Sequence, residues 1–144
     1  KIYNDQWMME RGFLDVKTFR DIVNARGFHS LVTLTPEQTV GEAVDRMKDL
    51  HIENIPVMRS GIPIGAVSEG GLFNIMLSNG IDIRSKKIQE VIEPPYPVVA
   101  FDTAVERISN LISKENGAVL AKDDSGNFHI VTKYDVIQSF QTNV

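Results

Sequence analysis

The chain has 144 residues, no cysteine and a formal net charge of -4, with an isoelectric point near 5.3. A chain of this length can bury a core without covalent staples, and the lack of cysteine excludes disulfides and thiolate metal sites. The acidic balance and scattered Lys and Arg argue against a nucleic-acid binder, and Arg84, Lys86 and Lys87 read as a solvated face. No apolar run approaches the ~20 residues of a membrane span and no signal peptide is visible, so a cytoplasmic location with no membrane partner is expected.

In chain order, the first segment carries Tyr3, Trp7, Met8 and Met9. Such a patch either packs on a core or faces a further domain. The start at Lys1 rather than Met leads us to expect a piece of something longer. Asp15 is expected to cap a helix with Phe19, Ile22 and Val23 as its stripe, ended by Gly27. "SLVTL" at 30–34 predicts a strand. "TVGE" at 39–42 reads as a capping box opening a helix with Val40, Ala43, Val44 and Met47 on one face. Two strands follow, "NIPVM" at 54–58 and "IGAVS" ending at Ser68, around the turn "RSGIP". A helix near 71–78 closes this stretch, and residues 80–96 form a link with a short helix at "KKIQEVI" and a break at Pro94 and Pro95.

The series then recurs. "PVVAF" at 97–101 is a strand, and "TAVE" at 103–106 a second capping box before Ala104, Ile108, Leu111 and Ile112. "GAVLA" at 117–121 and "FHIVT" ending at Thr132 are strands around "KDDSGN", and a helix near 133–141 closes the chain. Thr39 and Thr103, and Ser68 and Thr132, share an offset of 64 residues. Four matching features in order identify a duplication. The fold class is α+β, with two strand–helix–strand–strand–helix units that each leave a sheet face to cover. The expected organisation is residues 1–29 as an N-terminal helical linker, 30–80 as the first repeat, and 81–144 as linker and second repeat.

Thr132 and Asp135 stand where a strand meets a helix. Their plainest role is a helix cap, with the acid favoured by the helix dipole. His29, His51 and His129 show no metal-ligand spacing, and no glycine-rich cradle with a lysine marks a cofactor site. No catalytic residue is assigned.

"GAVSEGGL" at 65–72 and "HIVTKYDV" at 129–136 resemble the signature of paired CBS domains, a Bateman module. The second copy keeps Thr132, Asp135 and Val136 but has His129 where Gly is usual. The first keeps Gly65, Ser68 and Leu72 but has Gly71 where Asp is usual. "YNDQWM" and "GFL" resemble the junction behind the catalytic core of a bacterial cystathionine beta-synthase, a pyridoxal-phosphate enzyme. The resemblance implies two βαββα repeats about a pseudo-twofold axis, homodimerisation, and regulation of a catalytic domain that alone would hold pyridoxal phosphate.

The resemblance also implies an adenosyl ligand. Asp135 would accept from the ribose hydroxyls and Thr132 from the ribose or an adjoining group, flanked by Ile130 and Tyr134. The adenine would be read by Ser30, Leu31 and Val32 and by Ile52, Glu53, Asn54 and Ile55. For Ile52 and Ile55 the alternative is plain core. A mirror site would use Ser68 and Gly71 with Val98, Asn116 and Ala118, but Gly71 brings no carboxylate, so one ligand per chain is expected. S-adenosylmethionine is the effector the resemblance favours, its cation suited by Glu53 and Asp135. Lys133 and Lys122 would instead suit the phosphates of AMP or ATP. The remaining alternative is a ligand-free dimerisation module.

Overall fold

The computed structural model describes residues 16–80, 82–112 and 116–141. The chain forms two compact units: a continuous unit, residues 32–96, and a split unit made from residues 1–31 and 97–144. The packing units therefore cross the boundaries expected from chain order. The N-terminal helix goes with the second repeat, and the linker goes with the first.

In the continuous unit, α2 spans Val40–Leu50, numbered after the N-terminal helix α1, Phe19–Arg26. Thr39 caps α2 in a full capping box with Glu42, as the sequence predicts. His51 ends the helix at φ 55°, and the Ile52 N–H turns back to the Met47 carbonyl at 3.1 Å. Strands β1 (Asn54–Arg59) and β2 (Ile62–Ser68) pair antiparallel. Ser60 and Gly61, both at positive φ, form the two-residue connection whose twist matches a hairpin. β2 runs directly into α3, Glu69–Asn79.

The predicted strand at 30–34 shrinks to a single parallel rung, Leu34 beside Val57. A turn begins at Pro36, which has no N–H to continue a ladder, so only Leu34 reaches the sheet. The core gathers Leu34, Val40, Ala43, Met47, Ile55, Val57, Val67 and Leu72 with Ile83, Ile88 and Val91 of the linker. "KKIQEVI" supplies only a 3-10 turn, Ile88–Glu90. The linker main chain is already engaged by its neighbours: Ile88 N–H donates to Gln38 O at 2.8 Å and Val40 N–H to Lys86 O at 2.9 Å.

In the split unit, β3 (Val98–Val99), β4 (Ala118–Lys122) and β5 (Phe128–Thr132) form a sheet in that order. β3–β4 is parallel and β4–β5 antiparallel. Helices α4 (Val105–Ile112) and α5 (Lys133–Gln141) complete the repeat. The predicted apolar face of α4 shifts: Ala104 precedes the helix and is exposed, while Val105, Ile108 and Ile112 are buried.

Helix α1 is capped by Thr18 in a capping box with Asp21, rather than by Asp15, which lies outside the described residues. Gly27 at φ 86° ends it, as predicted. The Phe19 and Arg20 N–H groups donate to Thr103 and Phe101 carbonyls, and the Val105 N–H to Lys17 O, all within 2.9 Å. Phe19, Ile22 and Val23 join Val105, Ile108, Ile112, Val119, Ala121, Val131 and Val136 in one core. The Tyr3–Met9 patch lies outside the described residues.

Phe19 is fully buried. Phe19→Ala is therefore expected to cost about 3–5 kcal/mol in urea unfolding, whereas a segment acting only as a linker would lose almost nothing.

Candidate functional site

Each repeat turns a strand into a helix at a hydroxyl, and a carboxylate meets that hydroxyl in both. In the split unit, the Thr132 N–H and Oγ1–H donate to Asp135 Oδ2 at 2.9 and 3.2 Å. Arg26, in the last turn of α1, reaches the same oxygen with Nη1 at 2.9 Å. Sequence reasoning missed Arg26, because nothing local in "NARG" points to a partner 109 positions later. The ion pair is partly buried, with side-chain exposures of 26% and 18%, so it is screened less than a surface pair. Lys133 and Tyr134 are exposed beside it.

The other predicted residues divide between the units. Ile130 is half-buried on β5, and Ala118 stands across the ladder from Thr132. Val98 on β3, Asn116, Ser30 and Leu31 also belong to the split unit. Lys122 pairs with Phe128, at the opposite end of the hairpin from Thr132, and its ammonium lies 5.3 Å from the Phe128 ring centre. Among the two lysines considered for a phosphate, only Lys133 stands at the junction.

Val32, Ile52, Glu53, Asn54 and Ile55 belong to the continuous unit with Ser68 and Gly71. Ile55 is fully buried in that core and Ile52 packs against it. The Glu53 carbonyl accepts the first N–H of α3, from Glu69, at 3.0 Å. Ser68 caps the helix, its Oγ accepting from Gly71 N–H at 3.0 Å. The acid missing at position 71 is nonetheless present. Glu93, from the linker, accepts from Ser68 N–H at 2.8 Å and from Ser68 Oγ–H at 2.9–3.0 Å. Tyr96 is buried close by and donates to Asn54 Oδ1 at 3.0 Å. Burial and the negative charge of Glu93 push the Tyr96 phenol well above its usual range.

Residues 18–78 match the family model of the CBS domain. Solved structures similar to this chain include proteins named for the same domain. A CBS-domain-containing protein of Agrobacterium tumefaciens is 14% identical, with a TM-score of 0.77 over 87% of this chain and 94% of its own. A CBS-domain protein of Thermoplasma acidophilum is 20% identical, with a TM-score of 0.64 over 87% of this chain and 75% of its own. CBSX2, solved in complex with AMP, is 20% identical, with a TM-score of 0.62 over 90% of this chain and 95% of its own.

The fold is that of a tandem CBS module. Among the described residues of this module, no cluster of three His, Asp or Glu is placed to hold a metal, and no helix is long and apolar enough to cross a membrane. In the second CBS repeat, His129 stands where the signature usually has Gly. The residue is 3% exposed, its ring stacked on Phe101 and edge-on to Phe28, each at 5.7 Å between centres. Its Nε2 lies 2.8 Å from Asp123 Oδ2. Asp123 also accepts from the Ser125 and Asn127 N–H groups, closing the "KDDSGN" turn.

The bond to His129, followed by these backbone donors, holds the Asp123 carboxyl below its ordinary 3.8, at about 2. A depressed carboxyl stabilises the fold fully above its unfolded value and loses that contribution as pH falls toward 2. Carbon-13 titration of the Asp123 carboxyl should report this low value, and Asp123→Asn should flatten the stability profile between about pH 4 and 2. An unshifted titration would mean the pair is not formed in solution.

Proposed function

We propose that this CBS pair is a regulatory module whose second repeat binds an adenosyl ligand through Thr132 and Asp135. The observation that carries the reading is the contact of a strand-end hydroxyl with a carboxylate in the first turn of α5. Asp135 Oδ2 is taken by Thr132 and Arg26, and a carboxylate has further lone-pair sites for a ribose diol. Arg26 also favours one effector over the other. It cancels the charge of Asp135, so a sulfonium cation gains little there. A phosphate would meet Arg26, Lys133 and the α5 N-terminus. An adenine nucleotide is therefore the preferred effector over S-adenosylmethionine. The AMP complex of the similar CBSX2 supports the same choice.

The parent we infer is a pyridoxal-phosphate enzyme of the cystathionine beta-synthase type. That inference is supported by "YNDQWM" and "GFL", which lie outside the described residues. The module itself would act by binding, with no catalytic residue of its own. Dimerisation is supported by exposed apolar residues on both closing helices. Phe73 and Leu77 share one face of α3, and Tyr134, Ile137 and Phe140 recur every three residues on α5, all more than half exposed.

Calorimetry with AMP, ATP and S-adenosylmethionine tests the effector. AMP or ATP should bind, and Asp135→Ala should weaken it about ten- to hundredfold. At 100 times its dissociation constant the nucleotide should add ~2.7 kcal/mol of stability. Binding of S-adenosylmethionine alone would reverse the choice, and no binding by any of the three would leave an interaction module. In sedimentation, the chain should run as a dimer and Leu77→Glu as a monomer. A wild-type monomer at high micromolar concentration would remove the dimer from the reading.

A further inference from the structure

The two repeats differ at two signature positions, and one stretch of linker makes up both differences. Positions 65 and 71 are glycines, where positions 129 and 135 are His and Asp. A Cβ built on Gly65 would collide with the Ile92 side chain and stand 2.9 Å from the Glu93 carbonyl. A Cβ built on Gly71 would collide with Glu93 Oε2 and stand 2.7 Å from its Cδ. Gly71 is helical, without positive φ, so the glycine is there for space rather than for conformation.

The carboxylate that fills the space makes the bonds Asp135 makes. Asp135 accepts from the N–H and hydroxyl of Thr132, and Glu93 accepts from the N–H and hydroxyl of Ser68. It is held there by its own backbone, with Glu93 N–H to Ala66 O at 2.8 Å and Ala66 N–H to Glu93 O at 2.9 Å. Glu93 precedes a proline, which favours the extended backbone this pairing needs.

We propose that Glu93 replaces, from the linker, the acid absent at position 71, and that the first repeat thereby has a nucleoside-binding carboxylate of its own. This rests on the reading of Asp135 as a ribose acceptor and extends it to a second site. Ser68 N–H and Oγ–H use two of the roughly four acceptor positions of a carboxylate, leaving the rest for a diol. The consequence is a division of labour. The second repeat binds through a residue of its own helix. The first binds through a residue of the linker, so occupancy there holds the linker on β2.

Two measurements on the full chain test the proposal. In thermal unfolding, Glu93→Gln should lower Tm by roughly 2–4 °C, the loss of about one cap. Gly71→Asp should lower it too, because two carboxylates then compete for one place. The double variant of Gly71→Asp with Glu93→Ala, which also vacates the space at position 71, should regain most of both losses, since the new acid takes over the bonds to Ser68. Losses that simply add would overturn the replacement.

In calorimetry with AMP, the wild type should take two per chain and Glu93→Gln should weaken one of them about ten- to hundredfold. The double variant should recover it. A wild-type count of one, abolished by Asp135→Ala and untouched by Glu93→Gln, would overturn this inference and leave the reading of the second repeat intact. No AMP uptake at all would overturn both binding claims, and the unfolding cycle would still decide whether Glu93 stands in for residue 71.

Discussion

A strand that turns straight into a helix leaves the first N–H groups of that helix without intrahelical partners, at a junction that is only part-buried here. That constraint organises both repeats. Ser68 and Thr132 end their strands, and each meets a carboxylate that accepts from its own N–H and hydroxyl. Ser68 also accepts from the amide of Gly71. The junction is thus a concentrated patch of oriented donors, one hydroxyl and one acid. The same arrangement that stabilises a helix end can receive a sugar diol or an anion.

The repeats meet this demand with different parts of the chain. In the split unit, His129 and Asp135 fill their positions with their own side chains, and α1 returns from the N-terminal end to place Arg26 on the acid. In the continuous unit, two glycines open the space and Ile92 and Glu93 enter it. Two prolines follow Glu93 and restrict the linker in the unfolded chain as well, lowering the entropy lost when it docks. Each repeat therefore borrows a segment from outside its βαββα frame, and the borrowed segments are what divide the chain into a split and a continuous unit.

Charge placement follows the same pattern. Arg26 on Asp135 is a partly buried ion pair within the split unit, and His129 meets Asp123 there in a partly buried hydrogen bond. Arg20 bridges Asp102 and Asp124 at the surface and lies 4.8 Å from the Phe101 ring centre. The surface bridge contributes little by itself, but together with the buried Phe19 it ties α1 to the loops around β3 and β4.

The sequence by itself determined the repeat, the order of its elements and the residues of its junctions. Capping boxes, apolar spacing and hairpin turns are local, so their signals survive in a single chain. Thr39 with Glu42, β5 at Phe128–Thr132 and α5 at Lys133–Gln141 lie where local reasoning puts them. The tertiary structure alone decided which distant residues complete those junctions. Arg26 and Asp135 are 109 residues apart, and Glu93 and Ser68 are 25 apart in a linker whose pattern announces only a break. The leading strand at 30–34 shrank to the single rung of Leu34 beside Val57 for a similar reason, because the turn that begins at Pro36 lies beyond what its own apolar pattern announces. A missing acid at position 71 is visible in the sequence. The acid that replaces it becomes visible only when the linker folds back, because packing and not spacing brings them together.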